Sequence, residues 1–277
     1  SYLNFYNTHQ TPLFLSSNYM DRLFRPQYMV QFFEQLTTPN KFLLQNQGMH
    51  AEPEAIGIFD KNNYIWGKAK LWLDQWLKGI DTGIMAEPQV HMQLGPSMDK
   101  TYLQFNSTNT AAANGGNTRF YFGHRQERTY GSLRLAPQPG YFDKISYSTT
   151  PGLTSGKKDD KIETAGFPFN TNFSAATRHA SIVYTSEIFS ETKTLCGTPS
   201  ARVVVGPTEF NWQVYGFIYD VDTQIHTDVG SLLTESFFSN WAPNNGRVAE
   251  FDFHSVCRTV ESGHQIAVGI VLYNELY

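Results

Sequence analysis

Cysteine is scarce: Cys196 and Cys257 are the two present in 277 residues. Two cysteines make no disulfide framework, so reduced, buried thiols are the expected state. No apolar run approaches the roughly 18 residues that cross a bilayer, so no membrane partner is expected. Charge is also sparse, at 17% of residues with a net value of −4. That balance offers no basic field for nucleic acid. The chain opens on Ser1-Tyr2-Leu3-Asn4, with neither a methionine nor a signal-peptide pattern. It reads as a piece cut from something longer, and a cytoplasmic location is expected. No internal repeat has a solenoid period. Gly-x-Ser-x-Gly, the strand-to-helix turn that presents a nucleophilic serine, occurs nowhere.

What is present is a folded composition. Hydrophobic residues make up 40% and aromatics 15%, dominated by Phe 21 and Tyr 15. Flat side chains suit pleated surfaces, so the aromatics favour β structure. The pattern has two parts. Residues 1–88 alternate short apolar strands with helices. Pro26 suits a first helical turn, and Tyr28, Met29, Phe32, Phe33 and Leu36 would share one face. A second helix is expected over 65–78, with Ile65, Ala69, Trp72, Leu73 and Trp76 as its stripe and Gly79 as its stop. Over 89–277 helical periodicity disappears. Strands are expected at 118–122, 181–185, 201–205, 212–221, 248–253 and 265–272, separated by Gly, Pro, Asn and Ser clusters. Trp212–Tyr219 is apolar on both faces, as a central strand would be. Residues 106–117 and 152–161 read as surface loops. The fold class expected is α/β followed by an all-β sandwich or barrel.

Two side chains stand out, Asp21 and His50. Each follows an apolar strand-like run, and the segment between them reads as a helix. Strand, acid, helix, strand, histidine is how an α/β hydrolase presents the last two members of its catalytic triad. The acid orients the imidazole and stabilises its charged form, and the imidazole shuttles a proton to and from a serine. In that fold the serine comes first along the chain, yet too few residues precede Asp21 to hold its strand and turn. Plainer readings exist. An aspartate after a strand is commonly a turn former or helix cap. A loop histidine is commonly just solvated. His50-x-Glu52-x-Glu54 could also ligate zinc. Ser97, in Gly95-Pro96-Ser97-Met98-Asp99, is the nearest substitute nucleophile, but it follows His50 and lacks the second glycine.

Elsewhere, Asp220, Asp222, His226 and Asp228 form a polar cluster. Asp220 and Asp222 would share a strand face and could ligate a cation, with a turn rich in Asx hydrogen bonds as the default. His254 and His264 fall in or beside strands, where packing roles are expected. Trp241 could line a sugar or acyl site, or pack against a neighbouring domain.

Four stretches carry a family resemblance: Ser16-Ser17-Asn18-Tyr19-Met20-Asp21-Arg22-Leu23-Phe24, Asn46-Gln47-Gly48-Met49-His50, Trp72–Gly83 with Glu87-Pro88-Gln89-Val90, and Cys196-Gly197-Thr198-Pro199 with Tyr219–Asp222 and Ser262–Gln265. In content and order these resemble the C-terminal half of the cocaine esterase and Xaa-Pro dipeptidyl-peptidase family of serine hydrolases. The resemblance implies the end of an α/β-hydrolase domain at 1–88 and a jelly-roll sandwich at 89–277. It implies hydrolysis of esters, amides or peptides, with Asp21 as the acid and His50 as the general base. The serine and the oxyanion-holding tyrosine would lie in a missing N-terminal part. No cofactor or metal is implied. The partners implied are that N-terminal part, or another copy of the chain, and a small ester, amide or peptide substrate. The alternative is a non-catalytic β-sandwich module from an inactive homologue.

Overall fold

The apolar runs flanking Pro26 become neighbouring parallel strands in the computed structural model. It describes residues 2–95, 101–109, 116–125, 130–140, 142–146, 153, 170–175, 179–206, 212–225, 227–240 and 248–272. Ser97, His226, Trp241, residues 110–115, and the 152–161 loop apart from Leu153 lie outside the described residues. The chain divides into two compact units, residues 1–116 with 163–166 and residues 117–162 with 167–277.

In the first unit, helix α1 (Tyr2–His9) precedes strand β1 (Leu13–Asn18). Helix α2 (Pro26–Gln35) then crosses over to strand β2 (Lys41–Asn46), which pairs with β1 in parallel from Leu13 opposite Lys41 to Asn18 opposite Asn46. Pro26 occupies the first turn of α2, where its missing N–H costs nothing. The buried face of α2 is Pro26, Gln27, Val30 and Phe33, whereas Tyr28 is exposed. That face is set by contact with the sheet, not by the widest apolar stripe. Lys41 Nζ donates to the carbonyls of Phe33 (2.9 Å) and Leu36 (2.8 Å), so it satisfies the end of α2. Burial lowers the pKa of this lysine against the opposing charge of Glu34.

Helix α3 (Glu52–Gly57) and helix α4 (Tyr64–Lys78) follow. Asn63 Oδ1 accepts from Trp66 N–H at 3.0 Å and caps α4, and Gly79 ends it in the left-handed region. Ile65 and Trp72 pack with Phe42, Leu44 and Ile84 against one sheet face. Leu73 and Trp76, expected in that stripe, are exposed, as is Leu77. Strand β3 (Val90–Gln93) pairs in parallel with β2, and strand β4 (Tyr102–Phe105) pairs antiparallel with β3. The sheet order is β1-β2-β3-β4. Residues 90–105 therefore extend the first sheet, although their lack of helical periodicity groups them with the later strands in sequence. In this sheet β1 is an edge, and Leu13, Phe14 and Leu15 are only partly buried.

His91, on β3, is fully buried. The Tyr64 hydroxyl lies 2.7 Å from its Nδ1, and Glu87 Oε2 lies 3.7 Å from its Nε2. Burial, aided by the charge of Lys68 and opposed by Glu87 and a backbone bond to Pro88, lowers the pKa to about 4.

The second unit is mostly sheet. Its strands are β5 (Tyr121–Phe122), β6 (Tyr130–Arg134), β7 (Asn170–Asn172), β8 (Ser181–Thr185), β9 (Lys193–Gly197), β10 (Ser200–Val204), β11 (Trp212–Asp222), β12 (Val229–Asn240), β13 (Val248–Asp252), β14 (Val256–Val260) and β15 (His264–Val271). Seven form one sheet, in the order β5-β6-β8-β15-β11-β12-β7, while β10 pairs with β13 and β9 with β14. The core joins Val214 and Ile218 of β11, Ile266 and Ile270 of β15, Phe251, Val256 and Val260 from the smaller pairs, and Phe253 between β13 and β14. Phe253 presses so close to Gly216 that a Cβ there would sit 2.9 Å from its ring.

Cys196 and Cys257 are not reduced thiols. They lie opposite each other on β9 and β14 and form a disulfide. Sequence spacing hid this, because the cysteines are 61 residues apart and the antiparallel pairing of β9 with β14 brings them together. No helix among the described residues is long and apolar enough to cross a membrane.

Two outcomes follow from these features. Cys196→Ala/Cys257→Ala should lower the unfolding free energy by up to about 4 kcal/mol, since the bridge closes a long loop. Denaturant unfolding of the double variant measures this, and unchanged stability would show that the bridge contributes nothing. His91 binds its proton less readily folded than unfolded. Stability is therefore complete above about pH 6.5 and lost as pH falls towards 4, by about 3 kcal/mol at most. Denaturant midpoints between pH 4 and 7 should show this slope, and His91→Gln should flatten it.

Candidate active site

The site is built where the β1–β2 ladder ends. Parallel pairing carries past the strands, with Tyr19 N–H donating to Asn46 O (2.9 Å) and Met20 N–H to Gly48 O (3.1 Å). The next residue on one side is Asp21. Two residues beyond Gly48 on the other is His50. Parallel strands place both loops at the same sheet end, which is where open α/β sheets build their sites.

Asp21 is buried. Its Oδ1 accepts from the backbone N–H groups of Leu23 (2.9 Å) and Phe24 (2.8 Å). Its Oδ2 lies 2.8 Å from His50 Nδ1. The turn-forming role and the partnership with histidine are thus both present, one on each oxygen. An ionised carboxylate can only accept, so this bond calls for the imidazole tautomer protonated on Nδ1. That tautomer leaves Nε2 as the basic nitrogen. The His50 side chain is 48% exposed, so a buried acid orients an imidazole open to solvent. The Phe24 ring lies against it, with centroids 5.0 Å apart.

The histidine loop needs unusual backbone on both sides of His50. Gly48 has a φ of 117°, and a Cβ there would lie 2.8 Å from the Pro53 ring. Ala51 sits in the left-handed region with a φ of 55°. Left-handed backbone at a non-glycine residue is the kind of local strain that surrounding structure must hold.

Glu54 does not join His50 in a metal cluster. Its Oε1 accepts from Ser16 Oγ (2.6 Å) and its Oε2 from Asn18 Nδ2 (3.0 Å). Among the described residues no group of three or more His, Cys, Asp or Glu side chains is placed to hold a metal. Of the second polar cluster, Asp220 Oδ1 lies 2.8 Å from His264 Nδ1. Asp222 Oδ1 accepts from Gln224 N–H, the expected Asx turn. Burial raises the pKa of Asp220 against the pull of His264. His254 is fully buried. Sequence reasoning missed Ser16, Asn18, Asn46 and Tyr102 as site supports. The available signal was three polar residues, Ser16, Asn18 and Asn46, at the ends of otherwise apolar buried strands.

Neither a family model nor any curated protein sequence matches the chain. Solved structures do. An alpha-amino acid ester hydrolase aligns with a TM-score of 0.69 and 12% identity over 96% of this chain. An aminopeptidase from a marine sediment archaeon, Thaumarchaeota archaeon, aligns with a TM-score of 0.66 and 13% identity over 97%. A CocE/NonD family hydrolase from Staphylococcus aureus aligns with a TM-score of 0.61 and 10% identity over 97%. The chain spans about half of each of these proteins, 48%, 49% and 48% of their lengths in that order. At such identities the likeness is one of fold.

Gly48→Ala should destabilise the first unit by about 1–3 kcal/mol, because it forces both the φ value and the Pro53 contact. Urea unfolding followed by the fluorescence of Trp66, Trp72 and Trp76 reads the change. A silent substitution would mean that the loop does not need this conformation.

Proposed function

We propose that this chain supplies the acid and the general base of a Ser-His-Asp triad in a hydrolase like those of the CocE/NonD group. The observation that carries the proposal is the 2.8 Å contact between Asp21 Oδ2 and His50 Nδ1 at the ends of adjacent parallel strands. In this reading His50 Nε2 takes the proton of an attacking serine and returns it to the leaving group, and Asp21 steadies the imidazolium. The substrate is a small ester, amide or peptide; an ester hydrolase and an aminopeptidase are among the similar solved structures.

The serine would be carried by a segment preceding this one in the same protein. Three features support such a segment. The chain spans half the length of the structures it resembles. Among the described residues strand β1 is a parallel edge carrying half-covered Leu13, Phe14 and Leu15, and parallel sheets are ordinarily enclosed. Helix α4 also presents Leu73, Trp76 and Leu77 to solvent. Association with a second copy of the chain is the other way to cover these surfaces. The later strands would form a jelly-roll sandwich. Disulfides persist in oxidising compartments, so Cys196–Cys257 argues against the cytoplasmic location expected from sequence.

The test uses the protein extended by its preceding segment. His50→Ala should lower kcat/KM for a chromogenic ester by about a thousandfold or more while the thermal midpoint stays within a few degrees of wild type. Retention of most of the rate would refute the role of His50. Inactivity of the wild-type extended protein on esters, amides and peptides alike would favour the non-catalytic module.

A further inference from the structure

Besides the Asp21–His50 contact, a third side chain ties the histidine segment to the acid segment. Glu54 lies four residues beyond His50, in α3. Its two carboxylate oxygens are both spent on the end of β1, three and five residues before Asp21, through Asn18 Nδ2 (3.0 Å) and Ser16 Oγ (2.6 Å). The backbone of α3 is tied down at the same residue, since Trp66 Nε1 donates to Glu54 O at 2.8 Å.

The donors behind these bonds all run one way. Tyr102 OH donates to Asn46 Oδ1 (2.8 Å). Asn46 Nδ2 approaches Ser16 Oγ (3.0 Å), Asn18 Oδ1 (3.2 Å) and Ser17 O (3.2 Å). With Asn46 bonding those oxygens, Ser16 turns its proton and Asn18 its amide towards Glu54. The network therefore ends in a group that accepts at two separate oxygens, which an ionised carboxylate does and an amide, with its single oxygen, does not.

We propose that Glu54 is a positioning residue that holds the histidine loop in register with the acid loop. The proposal rests on the triad reading above, and it adds the device that sets the distance. Between His50 and Glu54 the chain passes through left-handed Ala51, a conformation with no local preference in its favour. Something outside the loop must fix it, and Glu54 is the side chain reaching from α3 to β1. Replacing it with glutamine leaves one acceptor oxygen, so its NH2 group either meets the Asn18 amide donor to donor or takes the place of the bond that Ser16 donated. The far end of the loop is then released, and the imidazole loses its alignment with Asp21.

The test reads the imidazole directly, in this 277-residue chain. Long-range 1H–15N correlation spectra recorded above the titration range of the ring report which nitrogen of His50 carries the proton, with His50→Gln used for assignment. Wild type should show the Nδ1–H form. In Glu54→Gln the ratio of Nδ1–H to Nε2–H should fall about tenfold, the scale of one charge-assisted hydrogen bond. The paired variant Asn18→Asp/Glu54→Gln moves the double acceptor to position 18 and should restore the wild-type ratio. A purely stabilising carboxylate would change the thermal midpoint and leave the ratio alone. An unchanged ratio in Glu54→Gln overturns the role of Glu54 while leaving the Asp21–His50 pair intact. A wild-type His50 without Nδ1–H preference overturns the pair itself, and with it both readings.

Discussion

The parallel pairing of β1 with β2 is the constraint on which the candidate site depends. A parallel pair delivers both strands to the same end of the sheet, so the loops that follow must be neighbours. Here the register sets Asn18 opposite Asn46, and two further backbone bonds carry the pairing to Met20 and Gly48. A shift of one residue would turn every side chain to the other face. Phe14, Phe42 and Leu44 would leave the core they share with Trp72, and Ser16, Asn18 and Asn46 would lose their common network. The same register that fills the core therefore also aims Asp21 at His50.

The site combines an anchored acid with an exposed base. Asp21 is buried, yet both of its oxygens are satisfied, one by two backbone N–H groups and one by the imidazole. A buried carboxylate left without such partners would be costly. His50, by contrast, is half exposed. The backbone around it is held by packing rather than by preference, through Gly48 against Pro53 and Ala51 in the left-handed region. The histidine loop is thus the part of the site whose shape depends most on what surrounds it.

The second unit shows a different logic. Its central strand β11 lies between β15 and β12, and β11 is apolar on both faces because both are covered. The smaller pairs β10–β13 and β9–β14 pack their Phe251 and Val256 onto the same core, with Phe253 from the connection between β13 and β14. The Cys196–Cys257 bridge locks one of those pairs at a directly opposed position. Strand β12, the longest, was hidden in sequence by Gly230, Ser231, Thr234, Glu235 and Ser236, which break its apolar pattern. Leu232, Leu233, Thr234, Glu235 and Ser236 are buried nonetheless, and the pairing with β11 shifts register beside Tyr219.

Local rules written along the chain determined the start of α2 at Pro26, the end of α4 at Gly79, and strands β8, β11 and β15 nearly to the residue. Proline geometry, glycine freedom and unbroken apolar runs act within a few positions, so they can be read without a fold. The order strand, acid, helix, strand, histidine was legible for the same reason, since a crossover helix implies a parallel pair. Tertiary structure alone decided which neighbours met. It placed β3 beside β2 and β4 beside β3, although their residues lack any helical pattern that would set them apart from the later strands. It turned Glu54 from an apparent metal ligand into the acceptor at the end of a polar network, and it joined two distant cysteines. Each of these is a contact between segments far apart in sequence, and such contacts are chosen by which surfaces the whole sheet leaves to be covered, not by the residues on either side.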